Sequence, residues 1–172
     1  MINLTVFCSS KNNIDKVYFD KCENLINKLD INKINIVYGG GTTGLMGIIR
    51  KAYNGKIISS NLIKFVEPDL KDDFVFDNIH DRQKKLIELG DTYLILPGGC
   101  GTHYEFFQIL TQNDIGETNK SIFLYNVNNI FDELIKHITN LHEKGFITKD
   151  FKKLNLFILN DDTEIADLIN NL

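Results

Sequence analysis

Several things are scarce in this chain, and each scarcity excludes a class of protein. No stretch of about 18 apolar residues occurs, so nothing reads as a membrane-spanning helix. The opening residues, Met1–Ser10, have neither a basic head nor a long apolar core, and they do not read as a secretion signal. The net charge of -4 and pI of about 5.5 leave no basic excess, which argues against nucleic acid as a partner. Cysteine is limited to Cys8, Cys22 and Cys100, an odd number with no C-x-x-C pair. A disulfide framework is therefore not expected, and a reducing, cytoplasmic setting is. His80, His103, His137 and His142 fall into no metal-binding spacing, so no metal is expected. Arginine is scarce too: Arg50 and Arg82 are the only two among 19 basic residues. An arginine kept against that background is more informative than any of the lysines.

What remains is ordinary. At 172 residues the chain suits one domain, 1–172, and 43% hydrophobic residues suffice for a core without disulfide or metal support. Apolar runs and amphipathic stretches alternate along it. Ile2–Phe7, Ile34–Tyr38, Lys56–Ser60, Phe74–Ile79, Thr92–Leu96, Ser121–Tyr125 and Leu156–Leu159 read as strands. Helical spacing falls over 15–29, 44–53, 81–89, 102–113, 130–142 and 162–171. Residues 61–73 give no regular pattern, and Glu67-Pro68-Asp69 breaks any element there. Alternating strands and helices predict a Rossmann-like α/β fold, a parallel sheet with helices on both faces.

Two places share one design, in which an apolar strand runs into glycines and then a helix start. The first is Tyr38-Gly39-Gly40-Gly41-Thr42-Thr43-Gly44-Leu45-Met46-Gly47. The second is Leu96-Pro97-Gly98-Gly99-Cys100-Gly101-Thr102-His103-Tyr104-Glu105. Glycine lets a ligand approach the backbone, and the helix N-terminus behind it offers unpaired N–H groups and partial positive charge. Two such loops predict a phosphate site at the carboxyl ends of the strands. The first loop also reads G-x-G-x-x-G, but Ser59–Lys64 lacks the acidic residue that a dinucleotide fold places about 20 residues on. No Gly-Lys-Ser/Thr follows either, so a mononucleotide or sugar phosphate fits better than a dinucleotide.

On these residues the chain resembles the LOG ("Lonely guy") family of cytokinin riboside 5′-monophosphate phosphoribohydrolases, many of which carry the older label lysine decarboxylase-like. Pro97–Glu105 matches the family's P-G-G-x-G-T-x-x-E, and Gly39–Gly47 matches its G-G-G-x-x-G-L-M-G. His80-Asp81-Arg82-Gln83-Lys84 is similar to M-H-E-R-K, with Asp81 in place of Glu and Gln83 after the arginine in place of Lys. Cys8-Ser9-Ser10 is similar to C-G-S-S, one Gly short. The likeness is collinear over about residues 2–150.

The resemblance implies hydrolysis of the N-glycosidic bond of an adenine-type nucleoside 5′-monophosphate, giving free base and ribose 5-phosphate, without metal or organic cofactor. It implies Glu105 as the carboxylate that faces an oxocarbenium-like sugar and Arg82 as its cationic partner. It also implies a homodimer. Candidate substrate contacts are Gly41, Thr42, Thr43, Gly44 and Met46 in the first loop and Gly98, Gly99, Gly101 and Thr102 in the second, with Lys84 and Ser9 beside them.

Blander readings compete at several of these positions. Thr102-x-x-Glu105 is also a capping-box signature, which would make Glu105 a helix cap. Arg82 could be a solvated first-turn residue. Cys100 is expected to be incidental, since it fills the variable position of the motif. Tyr38, Met46 and Phe106-Phe107 suit the core or a subunit interface. Two other functions also compete: a module of the same fold that binds a nucleotide or sugar phosphate without cleaving it, and lysine decarboxylation, which needs a Schiff-base lysine that no motif here supplies.

Overall fold

Seven strands form one sheet in the computed structural model, which describes every residue from Met1 to Leu172. The strands are β1 (Ile2–Phe7), β2 (Ile34–Tyr38), β3 (Ile57–Leu62), β4 (Phe74–Phe76), β5 (Thr92–Ile95), β6 (Ile122–Tyr125) and β7 (Leu156–Leu159). All neighbouring pairs are parallel, in the order β4-β3-β2-β1-β5-β6-β7. The helices are α1 (Lys16–Asn27), α2 (Gly44–Ala52), α3 (Ile79–Leu89), α4 (Cys100–Ile115), α5 (Asp132–Glu143) and α6 (Asp162–Asn170).

Alternation along the strands builds two cores. Leu4, Val6, Ile34, Ile36, Tyr38, Leu94 and Tyr125 face one way and meet Cys22, Leu25, Ile26, Leu45, Ile49, Ile165 and Ile169 of α1, α2 and α6. Val37, Tyr93, Ile95, Ile122 and Leu124 face the other way and meet Leu86, Ile87, Phe106, Ile109, Leu110 and Ile138 of α3, α4 and α5. Central strands therefore need apolar residues on both faces, which is why they read as unbroken apolar runs. Each fully buried Leu or Ile contributes roughly 1.5–3 kcal/mol.

Strand order reverses at β1. From there the chain steps outward through β2, β3 and β4, then returns to β1's other side for β5, β6 and β7. The crevice beyond the carboxyl ends of β1 and β5 is thus the switch point, the place where open α/β sheets bind ligands. Both glycine loops and the Cys8-Ser9-Ser10 turn leave the sheet at that end.

Most expected elements hold, with shifted ends. α3 begins at Ile79 rather than Asp81, because Asn78 caps it by accepting from the Asp81 N–H at 3.0 Å. β3 runs on to Leu62, and a single 3-10 turn, Ile63–Phe65, follows within the stretch that had no pattern. β4 ends at Phe76, short of Ile79.

Candidate active site

The β1 turn ties the two glycine loops together. The Ser9 N–H donates to the Pro97 carbonyl at 3.0 Å, and the Ser9 carbonyl accepts from the Leu45 N–H at 2.9 Å. The Ser9 hydroxyl accepts from the Lys11 N–H at 3.1 Å, so this buried serine braces its own turn. Gly44 makes the close approach feasible. Its φ is +60°, and a Cβ there would lie 2.5 Å from the Ser10 backbone carbon. No other residue type fits both the conformation and the space.

Arg82 reaches into this crevice from α3. Its Nε donates to the Ser60 carbonyl at 2.9 Å and its Nη2 to the Gly39 carbonyl at 3.3 Å. The guanidinium fork is thereby fixed by main chain on two sides. Its remaining nitrogen, Nη1, lies 3.5 Å from Glu105 Oε1, and both side chains are only 12% exposed. Val6, Phe7, Cys8, Gly39 and Met46 complete a pocket of about 20 Å³ around this pair, room for about one water molecule.

Burial dominates the electrostatics. It raises the Glu105 carboxyl from the ordinary carboxylate value up to about 7, while the Arg82 guanidinium and the Gln83 amide pull in the opposite direction. The group is poised to exchange a proton near neutrality, as a general base requires. Burial also pushes the Cys8 thiol well above its usual value, which leaves it neutral and inert.

The cap reading of Glu105 does not survive. α4 starts at Cys100 with Gly99 as its N-cap, so Thr102 is already inside the helix and Glu105 belongs to its second turn. The Pro97-Gly98-Gly99 turn starts the helix three residues before the position that T-x-x-E suggests. No side chain caps α4, and a Cβ at either Gly99 or Gly101 would meet nothing within 4 Å. Gly98 packs on the buried Thr102 side chain. No side chain of the protein therefore accepts from the first amides of the helix.

The first loop differs. The Thr42 N–H and hydroxyl both donate to Glu67 Oε1, at 3.2 and 2.6 Å, and the Gly44 N–H donates to Asn12 Oδ1 at 2.7 Å. Thr43 is exposed at the N-cap of α2 and makes no capping bond, and Gly41 packs near Met46. Loop donors expected to face a phosphate are thus met by the protein's own side chains. Glu67 carried no signal in the sequence, because it lies in the patternless stretch and acts across 25 residues. Its neighbours are held in the same way. Asp72 accepts from Asn61 Nδ2 at 3.0 Å, and Asp73 accepts from the Ser59 N–H at 2.8 Å.

Other expected members stand apart. Lys84 is not brought to the crevice; it lies 3.9 Å from Glu88 with its side chain 77% exposed. Residues two apart on a helix point to different sides, and Arg82 takes the inner one. Cys100 is exposed at the start of α4, and His103 turns Nδ1 toward the Gly99 carbonyl at 2.9 Å, so the two form no couple. Tyr38 and Phe106 are core, as expected, whereas Phe107 is 37% exposed.

A parallel sheet with a carboxylate–guanidinium pair at its switch point defines a Rossmann-like α/β protein. The chain belongs to the LOG family: the family model described as "Possible lysine decarboxylase" matches residues 32–169. Its curated relatives include the cytokinin riboside 5′-monophosphate phosphoribohydrolase of Rhodococcoides fascians, 32% identical over 158 residues, covering 85% of this chain and 78% of that one. An Arabidopsis thaliana enzyme of the same name is 28% identical over 159 residues, covering 88% and 75%. Among solved structures, the molybdenum cofactor binding protein of Rippkaea orientalis superposes with a TM-score of 0.68 at 15% identity, covering 99% and 96% of the two chains. The molybdenum cofactor carrier protein of Chlamydomonas reinhardtii gives 0.69 at 13%, covering 99% and 98%. These last two share the fold. No helix of this chain is long and apolar enough to cross a membrane.

Proposed function

We propose that this protein hydrolyses the N-glycosidic bond of adenine-type nucleoside 5′-monophosphates, releasing free base and ribose 5-phosphate. The observation that carries the proposal is the buried Arg82–Glu105 pair on the floor of the switch-point pocket, in a chain whose named relatives perform this reaction. In this reading the phosphate sits on the uncapped start of α4, held by the amides of Cys100, Gly101 and Thr102. Glu105 follows five residues later, about 7–8 Å along the helix axis, which leaves room for the sugar between anion and carboxylate.

The chemistry follows from that arrangement. As the bond between C1′ and the base nitrogen breaks, its electron pair leaves with the base and positive charge develops on the ribose. Ionised Glu105 stabilises that charge and takes a proton from the water that adds its oxygen to C1′. The proton ends on the departing base. Arg82, always charged, keeps part of Glu105 ionised despite burial and holds it in line. Gly39, Met46 and Ser9 meet the nucleoside. The first glycine loop, with Glu67 in place, faces sugar and base rather than phosphate.

The proposal extends to a homodimer in the cytoplasm, which three free cysteines suit. Lysine decarboxylation does not fit. A pyridoxal enzyme needs a lysine for its Schiff base, and no lysine lines the pocket.

The test is base release across a panel of nucleoside 5′-monophosphates, including adenosine and isopentenyladenosine monophosphates, with nucleosides and triphosphates as controls. Release from monophosphates alone, abolished in Arg82→Ala, is the expected result. Tight monophosphate binding with no base released would replace hydrolysis by a non-catalytic binding module.

A further inference from the structure

The two helix starts at the crevice are neighbours. A single residue, Ser9, bonds to both sides: its N–H donates to the Pro97 carbonyl ahead of α4, and its carbonyl accepts from the Leu45 N–H in the first turn of α2. Helix starts attract anions, and two so close would suit a ligand with two linked phosphoryl groups as readily as one with a single group.

Glu67 stands at the start of α2. Its Oε1 accepts from both the N–H and the hydroxyl of Thr42, the residue just ahead of the Thr43 N-cap. No lysine or arginine pairs with its charge. A second carboxylate leans on the same loop. A Cβ at Gly40 would lie 2.6 Å from Asp72 Oδ1, an oxygen with no hydrogen-bond partner. Both come from the 63–73 stretch, where Lys64 and Lys71 stand against Glu67, Asp69, Asp72 and Asp73. The wall of the first loop is thus anionic, and its donors already have an acceptor.

We propose that Glu67 determines specificity, restricting the site to ligands with a single terminal phosphoryl group. This deepens the hydrolase reading and rests on the phosphate taking the start of α4. A 5′-diphosphate held there has a further phosphoryl group to place, and the neighbouring seat is α2. Glu67 holds the Thr42 donors that this group would need and repels its charge. A 5′-monophosphate needs nothing from that seat.

Glu67→Ala frees both donors and removes the charge. The ratio of kcat/KM for base release from adenosine 5′-diphosphate to that from the monophosphate is expected to rise about tenfold over the wild type. Binding reads the same preference without turnover. In an amide chemical-shift titration, inorganic pyrophosphate should move the Thr42 and Thr43 signals of Glu67→Ala and bind it about tenfold more tightly than the wild type. A wild type that uses the diphosphate as well as the monophosphate overturns the proposal. So does an unchanged ratio, or pyrophosphate bound equally by both proteins; Glu67 then only fastens the 63–73 stretch to the loop. Should the wild type release no base, the hydrolase reading fails by itself and the pyrophosphate titration still decides the role of Glu67. Glu67→Ser serves the same comparison if the alanine variant does not fold.

Discussion

The two glycine loops follow one sequence design and end in opposite electrostatic states. After β2, the donors are spent inside the protein, Thr42 on Glu67 and Gly44 on Asn12. After β5, no side chain caps the 16-residue helix, and a Cβ at Gly99 or Gly101 would meet nothing within 4 Å. A glycine turn before a helix is an anion seat only while the protein leaves it without an acceptor of its own. Under the proposed function the contrast divides the labour: the β5 loop would take the charged end of the ligand, and the β2 loop the part that carries no charge.

The largest expected effect falls where the two loops meet. Glu105→Gln removes the proton acceptor, and base release in a steady-state assay should drop by roughly 10²–10⁴-fold with monophosphate affinity retained. Next comes Gly99→Asp, which has room for its side chain and caps α4 with a carboxylate. It should fold at least as well as the wild type and raise KM for monophosphates about 10- to 100-fold, since it gives the β5 loop what Glu67 gives the β2 loop. Acid should then cost activity steadily. With Glu105 titrating at about 7, kcat is expected to fall about tenfold per pH unit below that point. Glu67→Gln should do least, changing KM less than about threefold, a change below roughly 1 kcal/mol. An effect of Glu67→Gln as large as that of Gly99→Asp would break the division between the loops.

The same carboxyl makes a stability prediction with a definite sign. Its folded value is raised, from 4.5 to about 7, so the folded state binds the proton more tightly than the unfolded chain. Glu105's contribution is therefore fully present below about 4.5 and is lost as pH climbs through about 7. Melting curves of wild type and Glu105→Gln should match most closely in acid, and the variant should gain ground between those limits. A constant difference across the range would contradict burial as the cause of the shift.

Sequence and structure agree where local physics decides. Ile34–Tyr38 and Thr92–Ile95 are apolar on both faces because helices cover both faces of the sheet, and the glycines after them end the strands. The candidate pair was legible through the family resemblance: only the rarity of arginine marked Arg82 locally, and the local pattern around Glu105 suggested a cap. The 61–73 stretch was illegible because long-range bonds set its shape. Glu67 to Thr42, Asp72 to Asn61 and Asp73 to Ser59 leave no period in the sequence. The α4 start was misread because T-x-x-E resembles a cap, while the turn at Pro97–Gly99 had already begun the helix. Lys84 was misplaced because adjacency along the chain is not adjacency on a helix face.

The most direct measurement is an amide chemical-shift titration of the protein with ribose 5-phosphate, which carries the anion and the sugar without the base. The division of the loops predicts the largest movements at Cys100, Gly101 and Thr102, with the Thr42 and Gly44 amides nearly still. Large movements at Thr42 and Gly44, with the start of α4 unchanged, would contradict it.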